Sequence, residues 1–343
     1  MQPFEWTNTR SQAEAAASEA TTVAAAMVVA AGAQAAQDAV VVKAGGIDLL
    51  DLMKEGLLHP RRIVSLRDIA GLDRIVEEKD GTVRIGAMVT LAQVAEHPIL
   101  VQRYKALADV TRNAASPQIR NVATLGGNLL QRPRCWYFRS VHHHCARKGG
   151  ETCFAFGGEN QYHAIFDHRG CAIVHPSTAA TALVALGASV ELADAKGSRR
   201  EVLLEEFFVL PAMDVHREND LKAGEILSAI VLPKLASGVR SVHLKQGEKD
   251  SFDWPIADVA VVLDRDADGL CRRVSIVLGA AAPVPHRAKA AEAVLTGKPV
   301  QEQTARDAAR AALTGATPLT KNAYKLPIFE TLVRRAILAA AKA

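Results

Sequence analysis

Residues 39–57, "AVVVKAGGIDLLDLMKEGL", read as strand, glycine turn and helix. Val40, Val41 and Val42 are β-branched, Gly45-Gly46 breaks the run, and the apolar residues that follow recur with helical spacing. His59-Pro60 stops the helix. "RRIVSL" (61–66) then reads as a second strand, followed by "GTVRIGA" (81–87) and a helical "TLAQVAEHPIL" (90–100). Alternation of this kind predicts an α/β unit.

From Ala188 the pattern changes. "ASVELADAKGSRREVLL" (188–204) consists of two runs joined by a glycine turn and predicts an antiparallel hairpin, to which "EILSAIVLP" (225–233) adds a strand. "KLASGVR" (234–240) reads as a linker. Beyond it, "SVHLKQ" (241–246), "IADVAVVLD" (256–264) and "CRRVSIVLGAAA" (271–282) predict three strands, and residues 286–342 predict helices interrupted at Gly297-Lys298-Pro299. The last third is therefore α+β, strands first and helices after.

A chain of 343 residues holds two or three subdomains and a sizeable ligand between them. Lys and Arg number 41 against 37 Asp and Glu; the net charge of +4 is too small for a nucleic-acid-binding surface. Residues 11–38 include an apolar run, but it lacks the preceding positive segment of an export signal and is too short to span a bilayer. The run predicts an alanine-rich surface helix in a soluble, cytoplasmic chain with no membrane insertion. Export together with a partner that carries a signal is the alternative.

Glycines at a helix start let backbone amides approach an anion such as phosphate. A second double glycine, in "TLGGN" (124–128), is flanked by the hydrogen-bonding Thr124 and Asn128. Neither fits G-x-G-x-x-G or G-x-x-x-x-G-K-[ST]. Each alone also reads as a tight structural turn, whereas two together suit the two phosphates of a dinucleotide.

In chain order, "AGGIDLLDLMKEG" (44–56), "RIGAMVTLAQVA" (84–95), "SPQIRNVATLGGNLLQRPRCWYF" (116–138) and "CAIVHPSTAATALVALGA" (171–188) resemble the flavin subunits of the molybdenum hydroxylases, the group of xanthine dehydrogenase, aldehyde oxidoreductase and carbon monoxide dehydrogenase. The resemblance implies an α+β fold: a two-subdomain FAD-binding domain of the molybdopterin-dehydrogenase (PCMH-like) type over 1–233, then a C-terminal CO-dehydrogenase-flavoprotein-like domain over 234–343, with a three-stranded antiparallel sheet and a helical bundle. Within the first domain it implies a small α/β subdomain (about 1–60) and a larger one (about 61–233) carrying a Cys-rich insertion (about 132–171). It also implies FAD, its pyrophosphate held by Ala44, Gly45, Gly46, Ile47, Asp48, Leu49 and Leu50 and by Thr124, Gly126, Gly127 and Asn128. Lys245 in "HLKQGEKDSFDWP" (243–255) resembles the family lysine near the flavin ring, and the residues after it resemble the loop that gates the flavin; they also read as a solvated turn. Many members carry Asp after "P-x-S" to bind the ribose hydroxyls. Here Thr178 stands in that place, a weaker partner than a carboxylate.

Cys135, Cys145, Cys153 and Cys171 crowd into the insertion. None of their spacings is the C-x2-4-C knuckle of zinc ribbons. Four thiolates at irregular spacing can still meet on one 4Fe-4S cluster. The insertion resembles the subset with an additional cluster, the 4-hydroxybenzoyl-CoA reductase and periplasmic aldehyde oxidoreductase flavin subunits. A zinc site and unligated thiols are the other readings. Nearby Arg132, Arg134, Arg139, Arg147 and Lys148 would favour the negative charge of a cluster, contact an acidic partner, or both; of His142, His143 and His144 at most one or two can reach a metal. Cys271, in an alternating strand pattern, reads as a core thiol.

No Ser-His-Asp arrangement, nucleophile elbow or H-E-x-x-H is present, and no catalytic residue is assigned. The resemblance implies an oxidoreductase subunit whose FAD exchanges electrons with an external acceptor and with cofactors on two partners, a molybdenum-binding large subunit and a 2Fe-2S small subunit. Inward electron flow, as in a 4-hydroxybenzoyl-CoA reductase, is the alternative within the family. A stand-alone flavin oxidase and a zinc-stabilised binding module are the alternatives outside it.

Overall fold

The computed structural model describes residues 2–18, 20–27 and 39–342. β1 (Glu5–Asn8), β2 (Val40–Lys43) and β3 (Arg62–Ser65) form a parallel sheet in the order β1-β3-β2. Gly46, at φ 87°, turns the chain through the left-handed region that glycine tolerates and opens the helix Ile47–Lys54. Leu49, Leu52 and Met53 of that helix pack with Val41 and Ile63 of the sheet. β1 is an exposed edge strand without apolar alternation, and nothing in its own sequence announces it. The small-subdomain border at about residue 60 falls just before β3, the central strand, so the parallel sheet runs to Ser65.

A second sheet is antiparallel and five-stranded: β4 (Ile75–Glu77), β5 (Val83–Gly86), β6 (Ser189–Asp194), β7 (Arg199–Leu203) and β8 (Glu225–Leu232), in the order β4-β5-β8-β6-β7. "GTVRIGA" therefore leaves the α/β alternation that its neighbours suggest and pairs with β8, far along the chain. The predicted helix at 90–100 divides into Leu91–Glu96, started by a Thr90/Gln93 capping box, and Pro98–Arg103, because Pro98 offers no N–H to continue the first.

The C-terminal sheet holds the three expected strands, β9 (Arg240–Gln246), β10 (Ala257–Arg265) and β11 (Cys271–Gly279), with the two-residue β12 (His286–Arg287) added at one edge. Helices Lys289–Leu295, Glu302–Ala311 and Lys325–Lys342 share its core, and Cys271 is buried there as expected. The helices Lys105–Arg112 and Thr178–Ala185 join this sheet to the N-terminal part of the chain.

The alanine-rich N-terminal stretch is not one surface helix. It forms Gln12–Ala16 and Val23–Met27, whose Ala15, Ala26 and Met27 are buried because small side chains let both helices sit close to the parallel sheet. Residues 19 and 28–38 lie outside the described residues. Among the described residues no helix is long and apolar enough to cross a membrane.

His175 marks the junction of the two halves: its N–H donates to the Ala282 carbonyl (2.9 Å), and its ring meets Phe208 edge-on. The ring Nδ1 accepts from the Ser177 N–H (3.3 Å), and burial lowers the imidazole pKa from 6.5 to about 3. As pH falls, the unfolded chain binds this proton first, so stability is lost from about pH 6.5 downward. At pH 5 the loss should be about 2 kcal/mol. His175→Asn, which keeps an acceptor for Ser177, should remove most of that difference between urea unfolding at pH 7 and at pH 5; an unchanged difference would contradict the assignment.

Candidate functional site

A cavity of about 600 Å³ opens where the parallel sheet, the antiparallel region and the C-terminal sheet meet, a size typical of cofactor sites. Ala44, Gly45, Gly46, Ile47, Asp48 and Leu49 line it, as do Thr124, Gly126, Gly127, Asn128, Thr178 and Lys245. Leu50 does not; it packs against the hydrophobic cluster beneath the first glycine turn.

The two turns differ in what they offer. Gly46 caps the helix Ile47–Lys54 with no side-chain hydrogen bond, so the amides of its first turn have no intrahelical partner and sit at the positive end of the helix dipole. At the second turn the amides of Leu125 to Asn128 are engaged: Leu125 N–H donates to Val89 O (2.8 Å), Gly126 to Ala87 O (3.0 Å), Gly127 to Thr124 Oγ1 (3.1 Å) and Asn128 to Thr124 O (2.8 Å). What this turn supplies is clearance. A Cβ on Gly126 would lie 2.8 Å from the Ala87 Cβ, and one on Gly127 would lie 2.9 Å from Thr124 Oγ1 and 3.7 Å from the Ala44 Cβ. Gly45 has no room for a Cβ either, because the Val122 carbonyl rests against it.

Thr178 is the first residue of the helix Thr178–Ala185, capped by Ser177. The Ser177 hydroxyl accepts from Ala180 N–H (3.0 Å) and donates to Asn128 Oδ1 (2.6 Å), which ties this helix to the second glycine turn. Sequence reasoning passed over Ser177, although a serine before an apolar helical run is an N-cap signal. Lys245 Nζ donates to the carbonyls of Asn113, Ser251 and Asp253 (3.4, 3.2 and 3.0 Å), and burial lowers its pKa. Phe252 and Trp254 of that same loop line the cavity, and the Arg134 guanidinium lies 4.7 Å from the Trp254 ring centre.

Asp48 faces the Cys-rich segment as well. Its carboxylate accepts from Arg132 N–H (2.8 Å) and from the Arg139 guanidinium (2.6 Å), and forms an ion pair with Arg134 (2.8 Å). Arg132 and Arg147 converge on Glu218 at 2.6 and 2.5 Å, all three side chains at least 96% buried. All five cations expected to face a cluster or an acidic partner are thus held by groups inside the chain: Arg132, Arg134, Arg139 and Arg147 by carboxylates, and Lys148 by the Ser140 carbonyl (2.6 Å). Arg147 reaches sulfur, its Nε 3.5 Å from Cys171 Sγ.

The thiols are free of disulfides. Cys153, Cys135 and Cys145 lie near enough to Cys171 for their charges to interact with it. Its neighbour Cys153, together with Arg147, lowers the Cys171 pKa, while burial pushes Cys135 up to about 12 and raises Cys145. Two buried guanidiniums on one carboxylate leave an excess positive charge that favours a negative sulfur. Among the described residues, no three His, Cys, Asp or Glu side chains close on a single metal ion. Of the His142–His144 run, His143 hydrogen-bonds Ser140 Oγ (3.1 Å) and packs on Tyr137 and Phe154. The imidazole at the thiols is His163, with Nε2 3.2 Å from Cys135 Sγ. It stands alone in the sequence, without ligand spacing to mark it.

Residues 5–235 match the FAD binding domain in molybdopterin dehydrogenase, and residues 242–340 match the CO dehydrogenase flavoprotein C-terminal domain. The chain is 33% identical over 285 residues to the aldehyde oxidoreductase FAD-binding subunit of Escherichia coli strain K12, covering 82% of this chain and 86% of that protein. It is 29% identical over 301 residues to the carbon monoxide dehydrogenase medium chain of Hydrogenophaga pseudoflava, covering 87% of this chain and 88% of that protein. A solved structure of the Hydrogenophaga pseudoflava carbon monoxide dehydrogenase superimposes with a TM-score of 0.73 and 26% identity, over 99% of this chain and 98% of that one.

Proposed function

The chain belongs to the FAD-binding subunits of the molybdenum hydroxylases, and from that premise we propose that it is the electron-carrying subunit of a multi-subunit oxidoreductase. The observation that carries this reading is the convergence of both glycine turns on one cavity. Ala44, Gly45, Gly46, Ile47, Asp48 and Leu49 would hold the FAD pyrophosphate through the uncapped first-turn amides. Thr124 and Asn128 would add side-chain contacts, with Gly126 and Gly127 giving the clearance. Thr178 would face the ribose hydroxyls, and Lys245 the flavin ring. Bound FAD supplies a carrier able to take electrons singly or in pairs; the chain's own residues bind it, orient it and cover it with the Phe252–Trp254 loop.

The names of the relatives, a FAD-binding subunit and a medium chain, support partner chains. We assign these as a molybdenum-binding large subunit and a 2Fe-2S small subunit, with electrons passing outward through FAD to an external acceptor, the direction of a dehydrogenase.

Cys135, Cys145, Cys153 and Cys171 are proposed as ligands of one 4Fe-4S cluster. The mutual approach of the thiols, the Arg147 contact to Cys171 and the buried excess of positive charge support it, since a cluster with four thiolates is negative.

Anaerobically purified chain should carry FAD, iron and acid-labile sulfide. Gly127→Val, which puts a side chain between the two turns, should lose most of its FAD; normal flavin content would defeat the cavity assignment. Single Cys→Ser changes at 135, 145, 153 and 171 should lose most of the iron and keep FAD, whereas Cys271→Ser should keep both. Zinc in place of iron, or iron indifferent to these changes, would defeat the cluster and leave the FAD reading standing.

A further inference from the structure

One wall of the cavity holds a buried pair that FAD binding does not use. His243 and Lys245 lie two residues apart on β9, hence on one face of the sheet, and both line the cavity. His243 Nε2 is 3.1 Å from Asp258 Oδ1 on the neighbouring β10, with side-chain exposures of 3% and 1%. Nε2 faces the carboxylate, which leaves Nδ1 as the ring nitrogen outside that contact. Gly279 of β11 lies opposite Asp258, and a Cβ there would overlap the carboxylate. The second carboxylate oxygen, Oδ2, is buried with no hydrogen-bond partner among the described residues.

An ionised carboxylate in such a place requires compensating positive charge. Two lysines act on it from a distance. Lys245 is bound to loop carbonyls, with Asp250 and Asp253 of that loop also acting on it. Lys325, of the helix Lys325–Lys342, donates to the carbonyls of His163 and Ala280, and burial lowers its pKa to about 7. The helix Thr178–Ala185 presents Thr181 and no charge. In the helix Lys105–Arg112 the charged side chains Lys105, Asp109 and Arg112 pair with one another at the surface, and on β11 Arg272 pairs with Asp264. His243 is thus the titratable group that joins the carboxylate directly to the cavity.

We propose that His243, backed by Asp258, is the proton-holding residue of this cavity: it takes a proton from solvent onto Nδ1 when electrons reach the bound flavin and releases it when they leave. The proposal rests on the FAD reading above. Iron–sulfur donors deliver electrons without protons, so two electrons from such donors add two negative charges to the cavity as the donors are oxidised. The proton on His243 neutralises one of these charges, and Nδ1–H is the one protein bond that forms or breaks.

The test is the flavin midpoint potential of the full-length, FAD-loaded chain, measured spectroelectrochemically from about pH 5 to pH 9, in wild type, His243→Gln and Asp258→Asn. Proton uptake by the flavin itself gives a slope common to all three. Wild type should show an additional region of steeper pH dependence that His243→Gln lacks, and Asp258→Asn should displace that region, because His243 has lost the side chain it contacts. Superimposable profiles for wild type and His243→Gln overturn the proposal and leave the FAD reading intact, whereas a wild-type chain that takes up no FAD overturns both. If His243→Gln folds but does not retain flavin, Asp258→Asn decides, and an unmoved profile overturns the proposal.

Discussion

The carboxylate of Asp48 holds the functional region together. It sits in the first turn of the helix that follows Gly46, where the helix dipole favours negative charge. It accepts a charge-assisted hydrogen bond from Arg139 and a second bond from the Arg132 amide, and forms an ion pair with Arg134. The Cys-rich segment has little regular structure, so its position depends on such anchors. From Asp48 the contacts continue through Arg132 to Glu218, Arg147 and Cys171. Removing Glu218 would leave two buried guanidiniums without a counter-charge, at a cost of several kcal/mol. The cavity and the thiols are thereby fixed relative to each other.

The same economy of contacts divides labour between the glycine turns. Both bring backbone to the cavity, yet the second engages its amides from Leu125 to Asn128 internally, with Val89, Ala87 and Thr124. Its glycines permit close packing against β5 and against the first turn. The first turn keeps its amides for an anion. Two motifs that look alike in sequence thus perform different physical tasks.

Much of this was legible because it is local. The valines of β2, the break at Gly45-Gly46 and the spacing from Ile47 onward specify strand, turn and helix within a few residues of one another, and the two double glycines mark the two turns that line one cavity. What escaped depends on distant partners. β5 joins β8 from the far side of the whole cysteine-rich segment, and β1 is a strand only because β3 lies beside it. Arg132 and Arg147 looked like cations awaiting a cluster or an acidic subunit until Glu218, some 70 residues later, supplied the carboxylate. His163 and His243 carry no motif; each gains meaning from a neighbour that only the fold provides, Cys135 for one and Asp258 for the other.

The central claim is that the first glycine turn donates its amides to the cofactor while the second stays internally bonded. Amide NMR of chain labelled with 15N at isoleucine and glycine, titrated with FAD, reads both turns at once. The account predicts a large shift of the Ile47 amide and small shifts at Gly126 and Gly127, whose bonds to Ala87 and Thr124 persist. Large shifts at Gly126 and Gly127 with an unmoved Ile47 would contradict it.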